Sequence, residues 1–221
     1  MVKTDLKGCR ERKINIIELL GTGDYYSSGN HFTPSTSGVV DASELAHDAG
    51  YSQFVIKIIE HRKILFALVN GPAFGIAATT LCLIDYVVCS DSAYFGTPFP
   101  YIGVSPEGCA SVMFEKVLGT SKASEAILFG EPISAADALK RGIVARVFPQ
   151  AQFRKDAAAL VEKFSELPKH SVLASKELMR GDKFRREMLA VHDDETRLIK
   201  KLFMDEKTIS LIKSKFTKAK I

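Results

Sequence analysis

Residues 64–83 read ILFALVNGPAFGIAATTLCL. Ile64 to Val69 is a short, bounded apolar run, the pattern of a buried strand, while Ile76 to Leu83, rich in Ala and Leu, suits a helix. Between them NGPAFG, Asn70 to Gly75, supplies two glycines and a proline, the residues that turn a backbone sharply from strand to helix. A helix that starts there points its unpaired first-turn N–H groups, with the positive end of its dipole, into the crevice above the sheet. The stretch reads either as an ordinary strand-to-helix connection or as one edge of a ligand site.

Upstream, Ile14 to Leu20 (INIIELL) predicts a strand that runs into a polar, Gly-rich turn, GTGDYYSSGN, at 21–30. From His31 to about Gly50 the composition shifts to Ser, Thr, Gly and Asp, which is loop or mobile helix. Tyr51 to Arg62 spaces Phe54, Ile58 and Ile59 on one face and predicts a helix. Downstream, Tyr86 to Cys89 and Ala93 to Gly96 are short strands. Strands alternating with helices argue for an α/β fold with parallel pairing.

After Gly103 the texture is helical. Ser105-Pro106-Glu107 predicts a helix start, with Ser as N-cap, Pro at the first position and an acid in the first turn. A second helix runs from about Ser121 to Phe129 and stops at Gly130; a third is capped by Ser134 with Asp137 and ended by Gly142. Ala145 to Phe148 is a short strand or extended return, and from Ala151 helix follows helix, punctuated by Pro168 and Gly181. The last, about Asp205 to Lys215, ends in a Lys-rich tail. A boundary near Leu167 divides an α/β core, 1–167, from a C-terminal helical region, 168–221.

Composition narrows the function. Hydrophobic residues are 46% and charged ones 25% of 221 residues, a globular balance that fits one full-sized core with a helical appendage. A net charge of +4, spread except near the C-terminus, gives no argument for nucleic acid. Cys9, Cys82, Cys89 and Cys109 form no CxxC and read as core thiols of a reducing compartment; the five histidines have no metal-ligand spacing. No apolar run reaches the ~18 residues of a membrane span, and the N-terminus carries no secretory h-region.

The chemistry gathers at three stretches. SSGN, 27–30, and NGPAFG each follow a predicted strand; if those strands are neighbours, two backbone N–H groups converge on one oxygen, the construction of an oxyanion hole. Glu107, in GVSPEGC, is a carboxylate that either faces the same crevice or serves the helix dipole. In order, YYSSGN, NGPAFG and TPFPYIGVSPEGC resemble the crotonase (enoyl-CoA hydratase/isomerase) superfamily, and SSGN with SPEGC are most similar to its type 2 delta-3, delta-2-enoyl-CoA isomerases. The resemblance continues through LFGEPISAADALKRGIVARVF, 128–148. It implies a crotonase-like spiral of ββα units.

The resemblance also implies roles. The oxyanion amides fall on Asn30 and Ile76, with Ser28, Gly29 and Gly75 in the turns that present them. Hydratases of the superfamily use two acids to handle water; the matching positions here are Thr79 and Phe99, so water addition is not expected. One base suffices for an isomerase, and the matching position is Glu107. The implied substrate is a 3-enoyl-CoA, with no separate cofactor and no metal. Its thioester oxygen would accept hydrogen bonds that strengthen as an enolate forms, while Glu107 moves a proton from C2 to C4. An apolar acyl pocket would raise the pKa of such a base. Phe95, Phe99 and Tyr101 are candidate pocket walls or plain core, and Tyr25 and Tyr26 share that ambiguity.

Crotonases commonly form trimers or pairs of trimers through C-terminal helices, and Leu189, Leu198, Ile199, Leu202, Phe203, Leu211 and Ile212 exceed what a small appendage buries against itself. Lys213, Lys215 and Phe216 pair positive charge with an aromatic, which suits CoA, or form a solvated tail. Set against the resemblance, the family's hairpin and helix before the first strand are expected to be missing, which would bear on the contacts at the CoA end. The last residues, Ala219-Lys220-Ile221, are not a peroxisomal S-K-L signal, although the family resides in peroxisomes or mitochondria. Two rivals stand beside the isomerase. One is a catalytically silent module for acyl-CoA or protein contacts, as in chromodomain Y-like corepressors, whose similar domains lack the isomerase Glu. The other is an acyl-CoA hydrolase, for which no G-x-S-x-G elbow or suitably spaced Ser/His pair stands in the sequence.

Overall fold

The computed structural model describes residues 16–29 and 49–218; the side chains of residues 49, 213 and 215–218 are outside that description. Among the described residues seven strands alternate with helices: β1 (Ile16–Leu20), α1 (Ala49–Glu60), β2 (Ile64–Val69), β3 (Ala73–Phe74), α2 (Ile76–Thr79), β4 (Tyr86–Ser90), β5 (Tyr94–Gly96), α3 (Phe99–Ile102), α4 (Ala110–Leu118), α5 (Thr120–Phe129), β6 (Ile133–Ser134), α6 (Ala135–Arg141) and β7 (Arg146–Phe148). Four helices follow: α7 (Phe153–Ser165), α8 (Lys169–Arg180), α9 (Asp182–Phe203) and α10 (Glu206–Lys218).

The larger sheet has the order β1-β2-β4-β7, parallel throughout, with Ile16 opposite Ile64 and Phe66 opposite Tyr86. All six residues of β2 are buried, because the sheet is covered on both faces. Ile64, Phe66 and Leu68 point to Phe153, Ala157, Leu160 and Val161 of α7, whereas Leu65, Ala67 and Val69 face the main core. The second sheet, β3-β5-β6, is built from two- and three-residue strands. Ser27 bridges in parallel to Ala73, so β1 is also followed by a segment of this smaller sheet. Strand in the large sheet, strand in the small sheet, then helix: β2-β3-α2 and β4-β5-α3 repeat this unit, the ββα spiral that the family resemblance implied.

The local signals explain most element ends. Ser134 Oγ accepts from Asp137 N–H at 3.1 Å, and Gly130 and Gly142 end their helices in the left-handed conformation. Two expectations are corrected. The apolar run after Gly75 is one α-turn continued as a 3₁₀ turn, Thr80–Leu83, because the chain must re-enter the sheet at Tyr86. A short helix, α3, carries Phe99 and Tyr101. The helix expected to start at Ser105-Pro106-Glu107 starts instead at Ala110, with Cys109 as its N-cap. The region 31–48 lies outside the described residues.

The C-terminal helices fold back on the α/β layers. Met188 of α9 joins the main core, and α8 is held by a buried ion pair. Lys176 donates to Asp85 Oδ2 and to Lys63 O, both at 2.6 Å, while Leu65 N–H donates to the same Oδ2 at 2.8 Å. Asp85→Ala is expected to lower unfolding stability by about 3–5 kcal/mol, since it strands a buried ammonium and a strand N–H. Chemical denaturation measures this, and a loss under ~1 kcal/mol, the value of a surface pair, would count against it.

Candidate active site

Asn70 begins the site. Its Oδ1 accepts from Gly21 N–H at 3.1 Å and its Nδ2 donates to Gly23 O at 2.8 Å, so the end of β2 holds the turn after β1. Tyr26 and Ser27 then donate their N–H groups to Pro72 O, and Phe74 N–H donates to Ser27 O at 3.0 Å. Gly29 packs so closely that a Cβ there would lie 2.9 Å from Phe74 O and 3.8 Å from Gly75 N. The two Gly-containing turns therefore share one edge.

Gly75 has φ 54° and ψ −126°, a combination closed to L side chains, and it directs the chain into α2. Its own N–H donates to Gly96 O at 2.9 Å. Ala78 and Thr79 donate their N–H groups to Gly75 O at 2.9 and 3.0 Å, while the first-turn N–H groups of Ile76 and Ala77 have no intrahelical acceptor. Glu107 stands beside Gly75, with Oε1 3.6 Å from the position a Cβ there would occupy.

Glu107 is only 8% exposed, and its conformation comes from the turn that follows. Gly108 and Cys109 are both left-handed, at φ 71° and 63°. A Cβ on Gly108 would lie 2.5 Å from Thr79 Oγ1 and 3.3 Å from Ile76 Cδ1, so this turn rests directly on α2. Burial pushes the Cys109 thiol up to about 12, with the Glu195 carboxylate adding to it, so Cys109 is no nucleophile.

Around Glu107 the described residues bound a cleft of about 450 Å³, counting space open to solvent. Ser28, Gly29, Phe74 and Gly75 line one side, Pro98, Phe99, Ile102, Val104 and Ser105 another, and Ile199 and Phe203 of α9 a third. Glu107 is the one ionisable group among these lining residues. Thr79 is fully buried, its hydroxyl turned back onto Gly75 O and Ile76 O at 3.3 Å, and Phe99 is an apolar wall. Neither position of the hydratase acids presents a carboxylate.

The structure separates the remaining candidates. Asn30 lies outside the described residues, and Lys213, Lys215 and Phe216 fall on α10 with side chains that are not described. Tyr101 does not line the cleft: it is half exposed and packs on Gly130. Phe95 is fully buried core and Tyr25 is exposed, its ring 6.4 Å from Phe74. Ile199 and Phe203 were legible only as apolar positions of an amphipathic helix. One pair absent from the sequence reading does form: Ser52 Oγ and His192 Nε2 meet at 2.8 Å. Nδ1 of that ring is buried without a hydrogen-bond partner, so no acid orients it as a nucleophile's base. Among the described residues no group of three metal-ligating side chains gathers, and no helix is long and apolar enough to cross a membrane.

The ββα spiral is shared with known proteins to which the chain is similar. The family model for enoyl-CoA hydratase/isomerase matches residues 3–215. The chain belongs to the enoyl-CoA hydratase/isomerase family. Among the similar members, enoyl-CoA delta isomerase 2 of Rattus norvegicus is 39% identical over 200 residues, 90% of this chain and 51% of that protein. The peroxisomal enoyl-CoA delta isomerase 3 of Mus musculus is 41% identical over 172 residues, covering 72% of this chain and 51% of that one. The chain thus spans about half the length of these relatives. The crystal structure of an enoyl-CoA hydratase/isomerase from Pseudoalteromonas atlantica superposes with a TM-score of 0.80 at 27% identity, over 92% of this chain and 79% of that one.

Proposed function

We propose that this family member is a delta-3, delta-2-enoyl-CoA isomerase of unsaturated fatty acid oxidation. The observation that carries the reading is the solitary carboxylate: Glu107 is the one ionisable group among the described residues lining an otherwise apolar cleft, beside the helix start at Ile76. The thioester oxygen would accept from the N–H groups of Ile76 and Asn30, which hold it more tightly as it gains charge. Glu107 takes one proton from C2, electrons move to the oxygen, and the proton returns at C4. The double bond then lies in conjugation with the carbonyl. Phe99, Phe74, Ile102, Ile199 and Phe203 would cover the acyl carbons and keep water from the enolate. Hydration would require a second acid, and Thr79 and Phe99 supply none. The relatives named delta isomerases agree with this choice.

The reading extends to setting and assembly. Peroxisomal or mitochondrial oxidation fits the substrate, and Lys213, Lys215 and Phe216 would meet the CoA end. Leu198 and Met204 on α9 and its following turn, with Leu178 and Met179 on α8, are 48%, 69%, 90% and 75% exposed, apolar surface that a trimer would cover. Sedimentation should give a trimer or a multiple of three, and a well-behaved monomer at micromolar concentration would contradict this. Purified protein offered a 3-enoyl-CoA should form the 2-enoyl-CoA without accumulating 3-hydroxyacyl-CoA. Hydration as fast as isomerisation would overturn the functional reading.

A further inference from the structure

We propose that Glu195, on α9, is a positioning residue for Glu107: its buried carboxylate holds the left-handed turn at Cys109 that keeps Glu107 out of the following helix and against Gly75. The inference rests on the reading of Glu107 as the base. Its starting point is a conflict between local sequence and structure. Ser105-Pro106-Glu107 has the residues of a helix start, yet α4 begins at Ala110. Something must outweigh the local signal.

Cys109 is the one non-glycine residue with positive φ among the described residues, a conformation that crowds an L side chain. Its N–H donates to Glu195 Oε2 at 2.7 Å. The other oxygen, Oε1, accepts from Ser111 N–H at 2.9 Å and Ser111 Oγ at 2.6 Å. One carboxylate, 86 positions along the chain from Cys109, therefore caps α4 in place of Ser105, at the positive end of the helix. Burial raises the Glu195 carboxyl, while the hydrogen bonds from Ser111 and Cys109 pull it down. Without these bonds, the chain would satisfy the stranded donors by winding α4 back through Gly108, and Glu107 would rotate away from Gly75.

Glu195, Ile199 and Phe203 recur every four residues on one buried face of α9. The helix that walls the cleft is thus the one that sets the base. Gly108, pressed on Thr79 and Ile76, ties the same turn to the N–H donor of α2.

The test compares Glu195→Gln and Glu107→Gln with the wild type, using a 3-enoyl-CoA deuterated at C2. Glu195→Gln should lower kcat by about 10- to 100-fold with KM within about twofold, the scale of a misplaced catalytic group. The decisive readout is the fraction of product that keeps both deuterons, one at C2 and one delivered to C4. Each turnover sets that fraction, so a smaller folded population does not change it. A displaced base delivers more slowly and loses more label to water, so retention should fall at least twofold. A lower kcat with unchanged retention, or wild-type values for both, overturns the proposal. If Glu195→Gln does not fold, Ser111→Ala, which removes one hydrogen bond from the same carboxylate, is read the same way. Wild-type activity in Glu107→Gln would overturn the assignment of the base; an inactive Glu107→Gln beside an unaffected Glu195→Gln overturns this proposal alone.

Discussion

Glu107→Gln is expected to lower kcat for 3-enoyl-CoA isomerisation by about 10³-fold or more, within the upper range of general acid–base contributions. Glutamine keeps the volume and can accept or donate hydrogen bonds, but it cannot take the C2 proton. No other ionisable side chain lines the cleft among the described residues, so no neighbour can substitute. The fold should survive, because the helix start after Glu107 is capped by Glu195 and not by Glu107 itself. Circular dichroism and a binding measurement with a saturated acyl-CoA should match the wild type. A residual rate within about tenfold of the wild type would remove Glu107 from the mechanism.

Gly75→Ala is the second large effect. At φ 54° and ψ −126° an alanine is strained, which costs about 1–3 kcal/mol of stability. The added methyl would also sit 3.6 Å from Glu107 Oε1, at the cleft that both residues line. That is where the thioester carbonyl and C2 would lie. Activity should fall by about 100-fold or more, as for a misplaced reacting group. Urea unfolding and kcat/KM together check it; a variant of normal activity would place the substrate elsewhere.

The sequence and the structure part company at instructive places. β2 was legible because six apolar residues end at a turn, and burial on both faces is what such a run encodes. Gly130, Gly142 and the Ser134–Asp137 cap were legible because each acts within four residues of itself. Of the small sheet, β5 was legible at Ala93 to Gly96, whereas β3 and β6, two residues each, carry too little pattern to read. Ser105-Pro106-Glu107 misled for a different reason: its local preference is overridden by a carboxylate far away in the chain. Glu107 and the turns at 27–30 and 70–75 were read as candidates from their residues and from the family resemblance, and Ser28, Gly29, Phe74, Gly75 and Glu107 line one cleft. Ile199 and Phe203 were not assigned to the cleft, because helical periodicity marks an apolar stripe and not what it faces. Tyr101 failed as a pocket wall because α3 turns its ring outward onto Gly130.

A single turnover with 3-enoyl-CoA carrying deuterium at both C2 positions tests the central claim most directly. If Glu107 alone moves the proton, mass spectrometry should find product that retains both deuterons, one now at C4, and Glu107→Gln should yield none. Product formed at the wild-type rate with one deuteron always lost to water, in both proteins alike, would contradict proton transfer by Glu107.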